Sequence, residues 1–250
     1  MSSKTPIGEN IIRPQRHILG IDEACLDKRE GGRGIVVYVG VISHNGNHQG
    51  EYRKLRRRKN KTELGEFIER GILGELEHSV DFKYLCLRRS QIISLGLSAN
   101  MKYINLVERA NLVGYATLIG HYSQTEQPPE QVIIDGDPGE PVQDTLRKLI
   151  IMTCDFNPDN IFFEHKADQK EEVVNIADGT AYVLAHLHNN MWDENLTDLV
   201  GNNGSKDKWD EISKTHGHGI GLSISYYKNI LKLIGPNRRS KPKTHYSVSQ

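Results

Sequence analysis

The chain has 250 residues, of which 37% are hydrophobic and 26% charged, a balance that excludes an intrinsically disordered chain. No apolar run approaches the ~18 residues of a membrane-spanning helix. The 32 Lys and Arg residues are matched by 32 Asp and Glu, and the isoelectric point near 7.2 does not fit a wholly basic domain that coats nucleic acid without selectivity.

The predicted elements run in chain order as follows. Residues 1–16 hold no periodic pattern and read as a flexible arm without the apolar stretch of a secretory signal. HILGIDEA (17–24) and the β-branched run IVVYVGVI (35–42) read as strands. HNGNHQG is a turn, and Gly50–Val80 has helical spacing, with Leu64, Phe67, Ile68, Ile72 and Leu76 on one face. DFKYLCLR (81–88) reads as a strand. Between Ser98 and Ile119, apolar residues recur at three and four (Ile104, Val107, Leu112, Tyr115, Leu118), and SQTEQPPE is a loop.

QVIIDGDPGEP is a strand running into a Gly/Pro turn. PVQDTLRKLIIMTC is a helix, IFFEH a strand, and EEVVNIADGTAYVLAHLHNNM a helix. Residues 193–211 form a polar excursion, and Ile224–Gly235 is a last amphipathic helix before a basic tail. Strands alternating with helices predict α/β layering. The expected organisation is an arm (1–16), one domain (17–235) and a basic tail (236–250). Three scattered cysteines, Cys25, Cys86 and Cys154, fit neither a disulfide framework nor zinc spacing. A reducing, cytoplasmic setting is the expectation.

Charge is segregated although the sum is zero. Seven of the nine residues from Arg53 to Lys61 are basic, and a second basic cluster spans Arg238–Lys243. Acids gather at Asp22–Glu23 and from Glu164 to Asp178. A neutral total can thus hide a local phosphate-binding surface beside an acidic pocket; the alternative for Arg53–Lys61 is a solvated helix face.

Three acidic sites share one setting. Ile18–Ile21 leads to Asp22 and Glu23, Val132–Ile134 to Asp135, and Ile161–Phe163 to Glu164 and then Asp168. A single acid after a strand is commonly a turn residue or helix cap. Several at the carboxyl ends of strands, where α/β sheets bind ligands, repel one another unless protonated or neutralised by cations. Oxygen ligands without His or Cys suit Mg²⁺ or Mn²⁺, and two such ions form the arrangement that cleaves phosphodiesters. The DGDPG turn also admits a nucleotide-binding phosphatase, but no P-loop accompanies it.

The segment Glu164-His165-Lys166-Ala167-Asp168, with the following lysine, Val173-Val174, Ala177 and Val183, resembles ribonuclease HII, the archaeal branch most closely. Gly20-Ile21-Asp22-Glu23-Ala24 is similar to that family's opening GxDEA, and Val132-Ile133-Ile134-Asp135-Gly136 to its VxVDG strand. The three segments stand in the family's order. The resemblance implies a ribonuclease H-like α/β fold, with a mixed central sheet flanked by helices and a small helical C-terminal part. It implies Asp22, Glu23, Asp135 and Asp168 as catalytic, metal-binding carboxylates holding two Mg²⁺ or Mn²⁺ ions. The substrate it implies is RNA in RNA–DNA hybrids or ribonucleotides in duplex DNA, cleaved to 3′-hydroxyl and 5′-phosphate ends.

Further residues follow from the resemblance or lie beside it. Gly32, Arg33 and Gly34 correspond to the family's Gly-Arg-Gly, which approaches the nucleic acid; here seven residues separate it from Asp22-Glu23-Ala24. Lys59 and Lys61 echo a DSKKL motif, and Lys166 either offsets carboxylate repulsion or touches a phosphate. Asp178, ten residues beyond Asp168 on the next helix, is an auxiliary metal ligand or a packing-layer acid. Gly219-Ile220-Gly221-Leu222-Ser223 corresponds to the family's ribose-reading stretch, with Leu222 at the tyrosine position. The displaced Gly-Arg-Gly and Leu222 motivate two alternatives: a nuclease of this fold acting on structured RNA or a DNA junction, and a non-catalytic nucleic-acid-binding module.

Overall fold

The structure is a computed structural model that describes residues 17–25, 35–43, 80–88, 106–188 and 217–220. The strands are β1 (Ile18–Cys25), β2 (Ile35–Ser43), β3 (Val80–Arg88), β4 (Gln131–Asp135), β5 (Ile161–Glu164) and β6 (Gly217–Gly219). The helices are α1 (Leu106–Ser123), α2 (Glu140–Thr153) and α3 (Glu172–His188), with short 3₁₀ turns at Pro158–Asn160 and Ala167–Gln169. The expected arm (1–16), residues 50–79 of the expected Gly50–Val80 helix with its basic run, Gly32–Gly34, the excursion 193–211, the Ile224–Gly235 helix and the tail lie outside the described residues, while Val80 opens β3. Among the described residues, no helix is long and apolar enough to cross a membrane.

The six strands form one sheet in the order β5-β4-β1-β2-β3-β6. β1, β2 and β3 make an antiparallel meander, while β4 runs parallel to β1, and β5 parallel to β4. β6 is parallel to β3. No pattern in the sequence marks it, because its three-residue GHG has no apolar alternation to announce a strand.

Alternation along β1 divides the core in two. Leu19 and Ile21 join Tyr38, Val132, Ile134 and the buried faces of α1 and α2 in one cluster. Gly20 faces the other way, where a Cβ would stand 2.6 Å from the backbone of Val173 and Val174 in α3. Only glycine permits this approach, so the first turn of α3 lies directly on β1. Helices therefore cover both faces of a mixed sheet, the α/β layering expected from the sequence.

Helix α1 is buried from Leu112 through Ile119 without interruption, wider than the stripe of a surface helix. A second glycine makes room here: a Cβ on Gly114 would fall 2.4 Å from the Tyr38 ring. The phenols buried against α1 each find a partner. Tyr38 donates to Asn111 Oδ1 at 2.9 Å and Tyr122 to the Gly40 carbonyl at 2.8 Å, as buried tyrosines require.

Candidate active site

Strand register places the carboxylates. Asp135 pairs with Glu164. Ile21 pairs with Ile134, so one residue further Asp22 stands beside Asp135. Asp22 pairs with Val39, Val39 with Tyr84, and Tyr84 with Gly219. One row thus crosses the whole sheet, from Glu164 through Asp135 and Asp22 to Gly219. β4 and β5 end on this row, while β1 continues to Cys25. The carboxylates occupy the rim left there, at carboxyl strand ends where open α/β sheets place ligands.

The pleat sends neighbouring residues to opposite faces. Asp22, in phase with Gly20, faces α3 and is only 6% exposed. Asp135 and Glu164 share that face through the register. Glu23, in phase with Ile21, turns towards α1, where the Tyr115 phenol donates to its Oε2 at 2.6 Å.

Each of three carboxylates has one oxygen held by a protein donor. The Glu23 backbone N–H donates to Asp22 Oδ1 at 2.7 Å. The Ala167 N–H, in the 3₁₀ turn after β5, donates to Asp135 Oδ1 at 2.6 Å. Tyr115 holds Glu23. The Ala167 contact brings the Ala167–Gln169 turn, with Asp168 in it, against the end of β4. The residue before the turn, Lys166, is the one non-glycine residue with positive φ among the described residues (φ 59°), and it is exposed. A lysine in the left-handed region marks a loop whose path is imposed by its surroundings.

Electrostatics show how closely these groups sit. Burial raises the Glu23 carboxyl above its ordinary value; the Tyr115 hydrogen bond opposes this, and the charge of Asp135 adds to it. Tyr115 is pushed well above the usual phenol range, first by burial and then by Glu23, with smaller contributions from Tyr38 and Asp22. A second acid pair adjoins the row. Glu171 is raised by burial and then by Glu164, with Lys170 opposing, and Lys170 Nζ lies 3.3 Å from Glu164 Oε2 in an exposed pair.

Of the residues singled out in the sequence, Asp22, Glu23, Asp135, Asp168 and Lys166 are brought to one end of the sheet. Asp178 lies on α3 beyond the Val173–Val174 contact with Gly20, one turn farther from the Ala167 end. Gly32, Arg33, Gly34, Lys59 and Lys61 lie outside the described residues. Tyr115 was read as a core position only; its signal was the phenol itself, which, when buried, needs an acceptor. Glu164 was read as a strand-end acid but not placed in the catalytic set, and Glu171 was given no role.

Among the described residues, no three carboxylate, imidazole or thiol groups close up into a metal cage. The donor set is nonetheless all oxygen. Mg²⁺ in particular keeps several waters and is held by one or two carboxylates together with substrate phosphate, not by an all-protein cage. Carboxylates at a partly open rim are the donor type that such a hard divalent ion takes.

No protein-family model and no curated protein matches the sequence. Solved structures do. A chain of the PCNA–RNase HII complex from Archaeoglobus fulgidus aligns at 23% identity over 80% of this chain and 87% of that one, with a TM-score of 0.45. Ribonuclease H2 from Pyrococcus horikoshii OT3 aligns at 17% identity over 80% and 88%, with a TM-score of 0.47. Bst-RNase HIII, solved in complex with Mn²⁺, aligns at 14% identity over 88% of this chain and 65% of that one, with a TM-score of 0.47.

Proposed function

We propose that this chain is a metal-dependent nuclease that hydrolyses phosphodiesters, with Asp22, Glu23, Asp135 and Asp168 as its carboxylates and two Mg²⁺ or Mn²⁺ ions as its cofactors. The observation that carries the reading is the convergence of Asp22, Asp135 and the Asp168 turn on one rim, through register and the Ala167–Asp135 hydrogen bond. Like charges are gathered there with Glu23 raised by burial and by Asp135, an arrangement that favours binding a cation. A divalent ion bound there supplies a Lewis acid and a water of lowered pKa. The protein's own part is to hold the carboxylate oxygens and to keep the apolar floor beneath them dry. Lys166, exposed beside the acids, supplies positive charge for a phosphate.

The substrate class is RNA in an RNA–DNA hybrid, or a ribonucleotide in duplex DNA. Support comes from the EHKAD segment and from Gly219, which stands on the carboxylate row two positions before Gly221-Leu222-Ser223 in sequence. Three strand spacings, ~14 Å, separate Gly219 from Asp22, a distance that a bound duplex spans. Leu222 at the ribose-reading position favours a second reading, the same hydrolysis on structured RNA or a DNA junction.

One assay tests both. A hybrid, a duplex carrying a single ribonucleotide and an all-DNA junction are incubated with Mg²⁺, Mn²⁺ or chelator, with Asp135→Ala in parallel. Metal-dependent cleavage lost in the variant supports the nuclease, and the preferred substrate separates the two readings. Binding without cleavage in either metal favours the non-catalytic module.

A further inference from the structure

We propose that Tyr115 is a positioning residue for Glu23, fixing that carboxylate for a divalent cation. The inference rests on the nuclease reading above and adds to it a residue outside the acidic set. Of the three held carboxylates, two are held by backbone: Asp22 by the Glu23 N–H and Asp135 by the Ala167 N–H. Glu23 takes its donor from a side chain, 92 positions away in sequence.

That side chain is itself held. The Tyr115 ring meets Tyr38 edge-on, with centroids 5.8 Å apart and planes at 89°. Tyr38 is tied to Asn111 by its hydroxyl and seated against Gly114, where no Cβ intervenes. Asn111, Gly114 and Tyr115 all belong to α1, so one helix carries both the donor and the clamp for its ring. The 2.6 Å distance is that of a hydroxyl donating to a carboxylate. With Oε2 engaged, the rotation of the Glu23 carboxylate is set and Oε1 is left to a ligand. Partners that orient ligating groups in this way are worth about 10–100-fold in metal affinity.

The test is Mn²⁺ binding by titration calorimetry, with hybrid cleavage measured alongside, on wild type, Y115F, E23Q and the double variant. Tyr122→Phe serves as a control that removes a buried phenol of the same helix whose acceptor is the Gly40 carbonyl and not Glu23. The expected result is Mn²⁺ affinity roughly 10–100-fold weaker in Y115F and unchanged in Y122F. In the E23Q background, Y115F should cause no further loss. Thermal melting establishes that Y115F is folded; should it not fold, Glu23→Asp withdraws the carboxylate from the phenol while keeping the charge, and the same loss is expected. Wild-type affinity in Y115F, or an equal loss with and without Glu23, overturns the proposal while leaving the nuclease reading intact. A wild-type protein that neither binds Mn²⁺ nor cleaves overturns both.

Discussion

The Ala167 N–H and the Asp135 carboxylate meet at 2.6 Å, joining the turn after β5 to the end of β4. Ala167 is fully buried, so water cannot replace the acceptor if it is removed. Asparagine at 135 keeps an oxygen for that N–H and loses the charge; alanine loses both. Metal-dependent cleavage should vanish in both variants. Metal-free stability should fall by about 1–3 kcal/mol only in Asp135→Ala, the cost of stranding a buried donor, or several degrees in melting temperature for a domain of this size. Identical melting curves for the two variants would show that the hydrogen bond does not hold the turn.

Gly20 sets the contact between β1 and α3. A methyl group at this position would meet the carbonyl carbon of Val173 and the amide nitrogen of Val174, both at 2.6 Å. These are backbone atoms in a helix, and they cannot move aside as a flexible side chain would. Gly20→Ala should therefore cost at least the ~1–3 kcal/mol of an overpacked core. Denaturant unfolding reads it directly. Gly120 in α1, whose Cβ position is open, is the comparison: Gly120→Ala should be neutral or stabilising, since alanine is the better helix former.

Much of the fold was legible in the sequence where chemistry repeats. The β-branched runs Ile18–Ile21, Ile35–Ile42 and Val132–Ile134 are strands, and Asp22 and Asp135, which follow the first and the third, lie at the rim. What the sequence hid was direction. Asp22 and Glu23 are adjacent letters and read as one unit, but the pleat turns one towards α3 and the other towards α1. Glu23 thereby acquires a partner, Tyr115, that sequence spacing places only in an apolar stripe. β6 was hidden for a different reason: Gly217-His218-Gly219 earns its place through backbone pairing with β3, which leaves no hydropathy pattern to read. The row linking Glu164 to Gly219 depends on register alone, a property of the assembled sheet.

Lys166 adopts φ 59°, a conformation that costs an L-residue roughly 1–2 kcal/mol. It is exposed, so packing does not compensate through its side chain. Glycine removes the cost and the charge together. Lys166→Gly should fold at least as stably as wild type, whereas a β-branched residue, Lys166→Val, should be clearly less stable. On nucleic acid, both should bind more weakly, with a shallower dependence on salt by about one unit of slope if the ammonium neutralises one phosphate. Binding isotherms across a salt series check this, and an unchanged slope removes Lys166 from the interface.

Glu23 also makes a prediction about pH. Burial raises its carboxyl above 4.5, with Asp135 adding to the shift and the Tyr115 phenol opposing it. In the metal-free protein the folded state therefore holds a proton that the unfolded chain has released, over a window that opens near the ordinary carboxylate value and extends upward. Stability falls with rising pH wherever the native state binds more protons. The contribution of Glu23 is accordingly complete below that value and is lost as pH rises through the folded one. Glu23→Gln stays neutral and retains an oxygen for the phenol, so its stability should not fall over this window on account of position 23. Glu171, raised in the same direction, is common to both proteins and cancels in the difference. The variant should match wild type near the bottom of the window and exceed it at neutral pH, as expected when a carboxylate is buried for function at the expense of stability. Divalent metal should shift the comparison towards wild type, because a bound cation favours the ionised carboxylate and its binding releases protons. Denaturant unfolding of both proteins across pH, with and without Mn²⁺, reads both effects. A stability difference that does not grow with pH would show that Glu23 is not held protonated by its surroundings.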